Sequence, residues 1–196
     1  MKFKFLFLPL CLFSQFCNDP DPAQANQTAP DTVAAAKNYF PVIDFIRSEI
    51  KYVDSLPVGI MKYVSLNGKK DSGYIKLDEF HQLAEEFLPR ELNDSSFINN
   101  YEESSFYDRS TKTSTFLYTA KDKSMPVQRV DVLSKPDQVY DKVTSIYIQK
   151  NISSDDSSVI KKLYWKPGRH FQISSEKRLE GNAPLVTQIK VLWENR

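Results

Sequence analysis

The feature that most constrains the fold is a period-two alternation of apolar and polar residues in the second half of the chain. Successive side chains of a β-strand point to opposite faces, so this alternation predicts strands with one buried and one solvated face. The clearest example places Leu185, Thr187, Ile189, Val191 and Trp193 on one face. Six such strands are predicted, over residues 115–120, 128–133, 143–149, 159–165, 170–174 and 185–193. Their short polar connections favour sequential antiparallel pairing, which produces a meander.

A hairpin and two helices complete the predicted fold. The Asn-Gly pair at 67–68, between two strand-like runs, is a strong hairpin signal. Apolar residues at helical spacing predict one amphipathic helix between Pro41 and Pro57 and a second over residues 80–88, whereas residues 90–105 resemble a loop. The predicted fold class is α+β: an antiparallel β-meander of about six strands plus an N-terminal hairpin, with two amphipathic helices packed on one face.

The first 38 residues predict an export signal and a tether. Residues 1–16 hold two lysines and then nine consecutive apolar residues, the layout of a signal peptide. That run is shorter than the roughly 20 residues that a membrane-spanning helix needs. Residues 17–38 are rich in Pro, Asp, Asn, Gln, Thr and Ala, a composition that cannot bury a core and is typical of a flexible tether. The remaining residues, 39–196, are predicted to form one α+β domain.

Both cysteines of the chain lie in this N-terminal segment. Cys11 lies inside the apolar run, whereas Cys17 follows it and precedes the polar tether. The predicted domain therefore has no disulfide, thiolate nucleophile or cysteine metal site. The remaining use for Cys17 is as a lipid acceptor, because several acyl chains at about 0.8 kcal/mol per buried methylene make a permanent anchor.

Several strings of the chain carry a family resemblance. They are Cys17 with the acidic residues that follow it, and residues 38–40, 48–51, 62–69, 161–166 and 171–173. In these strings the chain resembles a family of uncharacterised bacterial lipoproteins of the Bacteroidetes type, with a small α+β envelope domain. The resemblance implies lipidation at Cys17 and a location at the outer membrane, on its periplasmic face or at the cell surface. It implies no activity, because none is known for that family.

A second processing route stays open. Ala23-Gln24-Ala25 forms an A-x-A site, and cleavage there would release a soluble periplasmic protein. Phe16 is bulky where the lipoprotein motif has a small residue. The A-x-A site, however, lies far from the apolar run and behind two prolines, an awkward approach for a peptidase, which favours Cys17.

Charge and glycine content exclude several classes of ligand. The formal net charge is +1, from 26 basic and 25 acidic residues, and the basic residues are scattered along the chain. Nucleic-acid binding needs clustered Lys and Arg, so no nucleic-acid partner is expected. The 5 glycines form no phosphate-binding loop motif, and no cofactor is expected.

Candidate catalytic groups are few. His81 and Glu85 lie one helical turn apart, but two ligands do not make a zinc site, so a structural pair is the preferred interpretation and no metal is expected. Adjacent acids at 85–86, 102–103 and 155–156 could hydrolyse a glycoside only if two of them faced each other across a cleft. Adjacent acids normally stay hydrated, so we expect no catalytic residue.

Aromatic residues are the remaining candidates for a binding site. Tyr164, Trp165 and Phe171 flank a predicted hairpin tip, where they could contact an apolar ligand or a glycan. Core and cross-strand packing is the alternative for these residues, and six alternating strands need such side chains inside.

Taken without a structure, the sequence predicts a lipid-anchored envelope protein that acts as a monomeric, non-catalytic binding or accessory module. Its expected partners are the membrane, through the anchor, and an unidentified protein or small hydrophobic ligand. One alternative is a periplasmic or outer-membrane carrier that holds a hydrophobic ligand in a curved sheet. Others are a secreted soluble protein and a carboxylate-based hydrolase.

Overall fold

Nine antiparallel strands and three α-helices make up the computed structural model, which describes residues 39–137 and 141–193. In chain order the elements are α1 (Val42–Asp54), β1 (Ile60–Leu66), β2 (Lys69–Ile75), α2 (Leu77–Ala84), α3 (Asp94–Asn100), β3 (Tyr101–Asp108), β4 (Thr113–Ala120), β5 (Val127–Lys135), β6 (Lys142–Ser154), β7 (Ser157–Lys166), β8 (His170–Leu179) and β9 (Leu185–Leu192). The predicted signal peptide, the tether, Cys11, Cys17 and the cleavage site after Ala25 lie outside the described residues.

All nine strands join in one sheet, in the order β2-β1-β9-β8-β7-β6-β5-β4-β3. Strands β3 to β9 follow one another as a meander, and the β1–β2 hairpin is added at the far side through antiparallel pairing of β1 with β9. The hairpin turns at Asn67 and Gly68, whose φ angles of 45° and 85° are both positive. Two positive φ angles match the right-handed twist of the hairpin arms, which explains the Asn-Gly pair.

The α+β class agrees with the prediction, but the count of six strands plus a hairpin is wrong by one strand. Residues 90–105, predicted as a loop, contain α3 and most of β3. Strand β3 lies at an edge of the sheet, and its residues 102–107 are exposed on both faces. An edge strand of this kind has no buried face, so its sequence lacks the apolar alternation that identified the other strands.

A cluster of aromatic side chains, here called the Trp cluster, fills the space between α2, the turn that follows it and strands β7 to β9. Its members are Phe80, Phe87, Trp165, Phe171 and Trp193, all with 1% exposure or less. The ring centroids of Phe87 and Trp165 are 5.1 Å apart, and those of Phe80 and Trp193 are 5.6 Å apart, both edge-on. Each such pair contributes roughly 0.5–1.5 kcal/mol beyond the burial of its surface.

Helix α1 is amphipathic, and its Glu49 makes a polar contact with the end of β7 and the turn that follows. Its buried residues Val42, Ile43, Ile46 and Val53 recur at helical spacing. The Glu49 carboxylate accepts a hydrogen bond of 2.8 Å from the backbone N–H of Gly168 and one of 3.4 Å from the indole Nε1 of Trp165. The helix therefore satisfies a donor of the Trp cluster while it contacts the β7–β8 turn.

Truncation of the Trp cluster should destabilise the fold strongly. We expect Phe80→Ala to lower the free energy of unfolding by roughly 3–5 kcal/mol, because the buried ring leaves a cavity. Tyr52→Ala on α1, where the ring is 48% exposed, should change it by less than about 0.5 kcal/mol. Urea-induced unfolding measures both values, and equal losses in the two variants would contradict the assigned packing.

Candidate functional site

The three aromatic candidates do not share a surface. Trp165 and Phe171 pair directly across β7 and β8, and both are fully buried in the Trp cluster. Tyr164 precedes Trp165 in the strand, so its side chain lies on the opposite face, where its ring centroid is 6.0 Å from that of His170. Only Tyr164 is therefore accessible to a ligand, whereas Trp165 and Phe171 occupy the packing role considered as the alternative.

His81 makes a contact between helices. Its Nε2 atom lies 2.7 Å from Oδ1 of Asp54, the last residue of α1, and it makes no hydrogen bond with Glu85. Both side chains are partly exposed. Within residues 39–137 and 141–193, no group of three His, Cys, Asp or Glu side chains converges on a point where a metal ion could bind.

Glu86 belongs to a partly buried ion network. Nζ of Lys150 donates a 2.5 Å hydrogen bond to the backbone oxygen of Glu86 and lies 3.2 Å from its Oε2, while Lys161 donates to Oε1. Burial alone raises the pKa of Glu86, but the hydrogen bond from Lys161 and the charges of both lysines together lower it below its usual value. Glu86 is thus an ionised partner for two cations, which ties the end of α2 to β6 and β7.

Two exposed aspartates also have lowered pKa values. Hydrogen bonds from the side chains of Ser110 and Thr111 lower the pKa of Asp108 to about 2, and the backbone N–H of Ser124 lowers that of Asp122. A glycosidase's general acid needs a raised pKa. In the described part of the chain, every carboxyl group whose pKa is shifted has moved in the opposite direction.

A second aromatic group, here called the Tyr cluster, is formed by residues of α3, β3 and β4 and by Tyr39, which precedes α1. It consists of Tyr39, Phe97, Tyr101 and Tyr118, with ring centroids between 4.8 and 5.2 Å apart. Its polar groups are engaged: the Tyr39 hydroxyl donates to the backbone oxygen of Tyr101 at 2.9 Å, and the Tyr101 hydroxyl to that of Val127 at 2.8 Å. Phe97, Tyr101 and Tyr118 are buried, and the ring of Tyr39 is the partly exposed member that a ligand could contact.

An open, mainly apolar cleft of about 670 Å³ lies beside the Tyr cluster. It is lined by Tyr39, Phe40, Pro41, Ile43, Asp44, Arg47, Leu92, Asn93, Phe97, Ile98, Phe116 and Tyr118. The lining residues belong to residues 39–41, to α1, to residues 92–93 with α3, and to β4. Arg47 and Asp44, 3.4 Å apart and both largely exposed, are its charged residues.

The hydroxyl of Tyr118 fixes one wall of the cleft. It accepts a 3.0 Å hydrogen bond from the backbone N–H of Phe40, which holds the entering chain against β4. Burial raises the pKa of Tyr118 to about 12, so the hydroxyl stays protonated and neutral at physiological pH. Tyr118 therefore adds no charge to this wall, and its ring is buried behind it.

Sequence reasoning missed most of this cleft. Phe97 and Ile98 lie in a segment predicted as a loop, and Tyr39 precedes the helix predicted between Pro41 and Pro57. The signal that could have identified them is the adjacent apolar pair Phe97-Ile98 inside an otherwise polar stretch. In the structure Phe97 is buried in the Tyr cluster, whereas Ile98 is exposed at the cleft.

Comparison with known proteins identifies no relative. No protein-family profile, characterised protein or solved structure matches the chain. The lipoprotein family suggested by residues 62–69 and 161–166 thus stays a prediction. Among the described residues, no helix is both long enough and apolar enough to cross a membrane.

Removal of the Glu86 carboxylate should reduce stability in a pH-dependent way. Since the pKa of Glu86 is lowered in the folded state, its contribution is present above the ordinary value of 4.5 and is lost as the pH falls through the folded value. At pH 7 we expect Glu86→Gln to lower the free energy of unfolding by roughly 1–2 kcal/mol, because Lys150 loses its anionic partner.

The neighbouring Glu85 supplies the control, because its side chain is exposed. Glu85→Gln should leave the unfolding free energy within about 0.5 kcal/mol of the wild-type value. Urea titrations between pH 7 and pH 3 give the comparison. If the difference in unfolding free energy between Glu86→Gln and the wild type were the same at pH 7 and at pH 3, the network would be refuted.

Proposed function

We propose that the chain is a lipid-anchored, non-catalytic binding module of the bacterial cell envelope, which holds a hydrophobic ligand in the apolar cleft. The observation that carries the proposal is the cleft itself. Its volume of about 670 Å³ lies within the range of about 300–1,000 Å³ typical of small-molecule sites. Its lining is largely aromatic and aliphatic, with a few polar groups at one side, which is the usual composition of such sites.

Two features of the helical layer support the position of the site. In the proposed arrangement, α1 and α2 pack on the same face of the sheet, which is the arrangement that the sequence predicts for its two amphipathic helices. The Trp cluster fills the space beneath α2, so a ligand finds no room there. Helices α1 and α3 and strand β4 leave the cleft open instead, and a carrier requires an opening between helices and sheet.

The ligand chemistry follows from the lining. The partly exposed rings of Tyr39, Phe40 and Phe116 and the exposed side chain of Ile98 favour an acyl chain or another extended apolar group. Arg47 has 58% of its side chain exposed and could pair with an acidic headgroup at the mouth. An amphiphile with an anionic head, such as a fatty acid, therefore fits the proposed site best.

The anchor is argued from the sequence. Cys17 is the one cysteine after the apolar run, and the composition of residues 17–38 is typical of a tether. Those residues could extend over at most about 75 Å, and they end beside Tyr39, which lines the cleft. A lipidated Cys17 would thus keep the binding module within reach of the membrane that supplies its ligand.

Replacement of the lipid acceptor tests the anchor. We expect Cys17→Ser to move the protein from the membrane fraction to the soluble fraction, because no acyl chains would be attached. Cys11→Ser, inside the apolar run, is the matched control and should leave the protein in the membrane. Fractionation with immunodetection and mass spectrometry of the mature N-terminus provide the readout; a wild-type N-terminus at Asn26 would refute the anchor and support soluble release.

A charge placed in the cleft tests the ligand site. We expect Ile98→Lys, at a position 43% exposed, to weaken binding of a fluorescent fatty acid about tenfold, because a solvated ammonium group opposes entry of an apolar chain. Ile152→Lys on β6, at a position 46% exposed, should bind the fatty acid like the wild type. No binding by the wild-type chain, or equal loss in the two variants, would exclude the cleft as the site.

A further inference from the structure

The sheet has a second face, here called the outer face, that points away from the buried row Ile148, Leu163 and Ile173. Across strands β2, β1, β9 and β8 this face contains a shallow groove of about 570 Å³. It is separate from the apolar cleft and has none of the same lining residues.

Strand register places two rows of polar side chains along the groove. In the first row Tyr63 pairs with Ser72 and Lys190, and Lys190 pairs with Gln172. The second row, two residues along each strand, consists of Lys70, Ser65, Gln188 and Ser174. Because neighbouring strands lie about 4.8 Å apart, each row of four extends over roughly 14 Å. The groove is therefore an elongated site rather than a hole for one small ion.

The polar side chains in these two rows of the groove make no hydrogen bonds or ion pairs with other described residues. Elsewhere on the outer face, neighbouring polar side chains hydrogen-bond to one another. Arg129 donates two hydrogen bonds of 2.7 and 2.8 Å to Asp131. The side chains of Tyr147, Gln149 and Asn151 are linked by two successive hydrogen bonds of 3.3 Å. Of the eight groove side chains, none makes a hydrogen bond or ion pair with another described residue. Their donors and acceptors are thus available to a ligand.

The groove has a positive charge. Lys70 and Lys190 point to the outer face, as their register partners show. Asp71 also borders the groove, but it alternates to the other face, and its Oδ1 accepts a 2.8 Å hydrogen bond from the backbone N–H of Ser72. The two ammonium groups therefore face the site without an opposing carboxylate from the groove itself, and they favour an anionic ligand.

The other side chains favour a ligand rich in hydroxyl groups. Gln172 and Gln188 each offer a donor and an acceptor in one planar amide, which matches the mixed donor and acceptor character of sugar hydroxyls. Tyr63 is 46% exposed in the middle of β1, where its ring can lie against the apolar face of a sugar ring. Nucleic acid fits less well, because affinity for its backbone depends on neutralising many phosphates and the groove has two cations.

We propose that this groove binds an acidic oligosaccharide. The sugar rings lie on Tyr63, Gln172 and Gln188 bond to their hydroxyls, and Lys70 and Lys190 pair with their carboxylates. This inference is independent of the proposed function, because the groove and the apolar cleft lie on different parts of the chain and take different ligands. Loss of one activity leaves the other measurable.

Calorimetric titration of the full chain, purified in detergent, with a polyuronate oligosaccharide tests the inference. We expect binding that weakens with added salt, as contacts between exposed charges do. The double variant Lys70→Ala/Lys190→Ala should bind at least tenfold more weakly, and Tyr63→Ala should also lose affinity. A neutral glucan oligosaccharide of the same length should bind more weakly than the polyuronate.

Matched variants separate a site from a general effect of charge or folding. Lys51→Ala/Lys142→Ala removes the same charge from exposed positions outside the groove, and Tyr52→Ala removes a ring that is 48% exposed on α1. Both should bind the polyuronate like the wild type, and all variants should retain fatty-acid binding. The inference would be overturned by absence of polyuronate binding, by equal losses in groove and control variants, or by tighter binding of single-stranded DNA.

Discussion

The packing of two tryptophan and three phenylalanine rings against one another is the interaction on which the rest of the structure depends. The Trp cluster joins α2 to the last three strands, and Glu49 extends this contact to α1 through the indole of Trp165. Because the five rings of the cluster are in contact and buried, no space for a ligand is left between α2 and these strands. Space for a ligand is left near β4, where the Tyr cluster borders an open cleft.

The two faces of the nine-stranded sheet carry different kinds of side chain. The core face carries the aliphatic and aromatic side chains that pack with the helices, and burial of this surface supplies most of the stabilisation. The outer face carries polar side chains. On β5 and β6 these side chains hydrogen-bond to one another, whereas in the groove across β2, β1, β9 and β8 they do not. The apolar cleft and the groove thus lie on opposite faces of the sheet, which the same alternation of side chains produces.

Much of the fold could be predicted because its signals are local. The alternation over 185–193, the Asn-Gly turn and the helix that begins after Pro41 were readable from short segments. Strand β3 was not, because its residues 102–107 are exposed on both faces and therefore lack the apolar alternation. The same restriction applies to the aromatic candidates for the site. Periodicity predicts that Trp165 and Tyr164 point to opposite faces, but it does not predict which face is buried.

By itself the sequence determined the periods of the elements, the positions of the turns and the absence of cysteine chemistry from the predicted domain. These properties depend on residues a few positions apart, through backbone dihedral preferences and side-chain direction. Only the tertiary structure decided which surfaces meet. Tyr39 contacts Tyr101 across 62 residues, and Glu49 contacts Gly168 across 119. Such contacts depend on how the whole sheet pairs and twists, so no short segment specifies them, and the cleft and the groove exist only where they form.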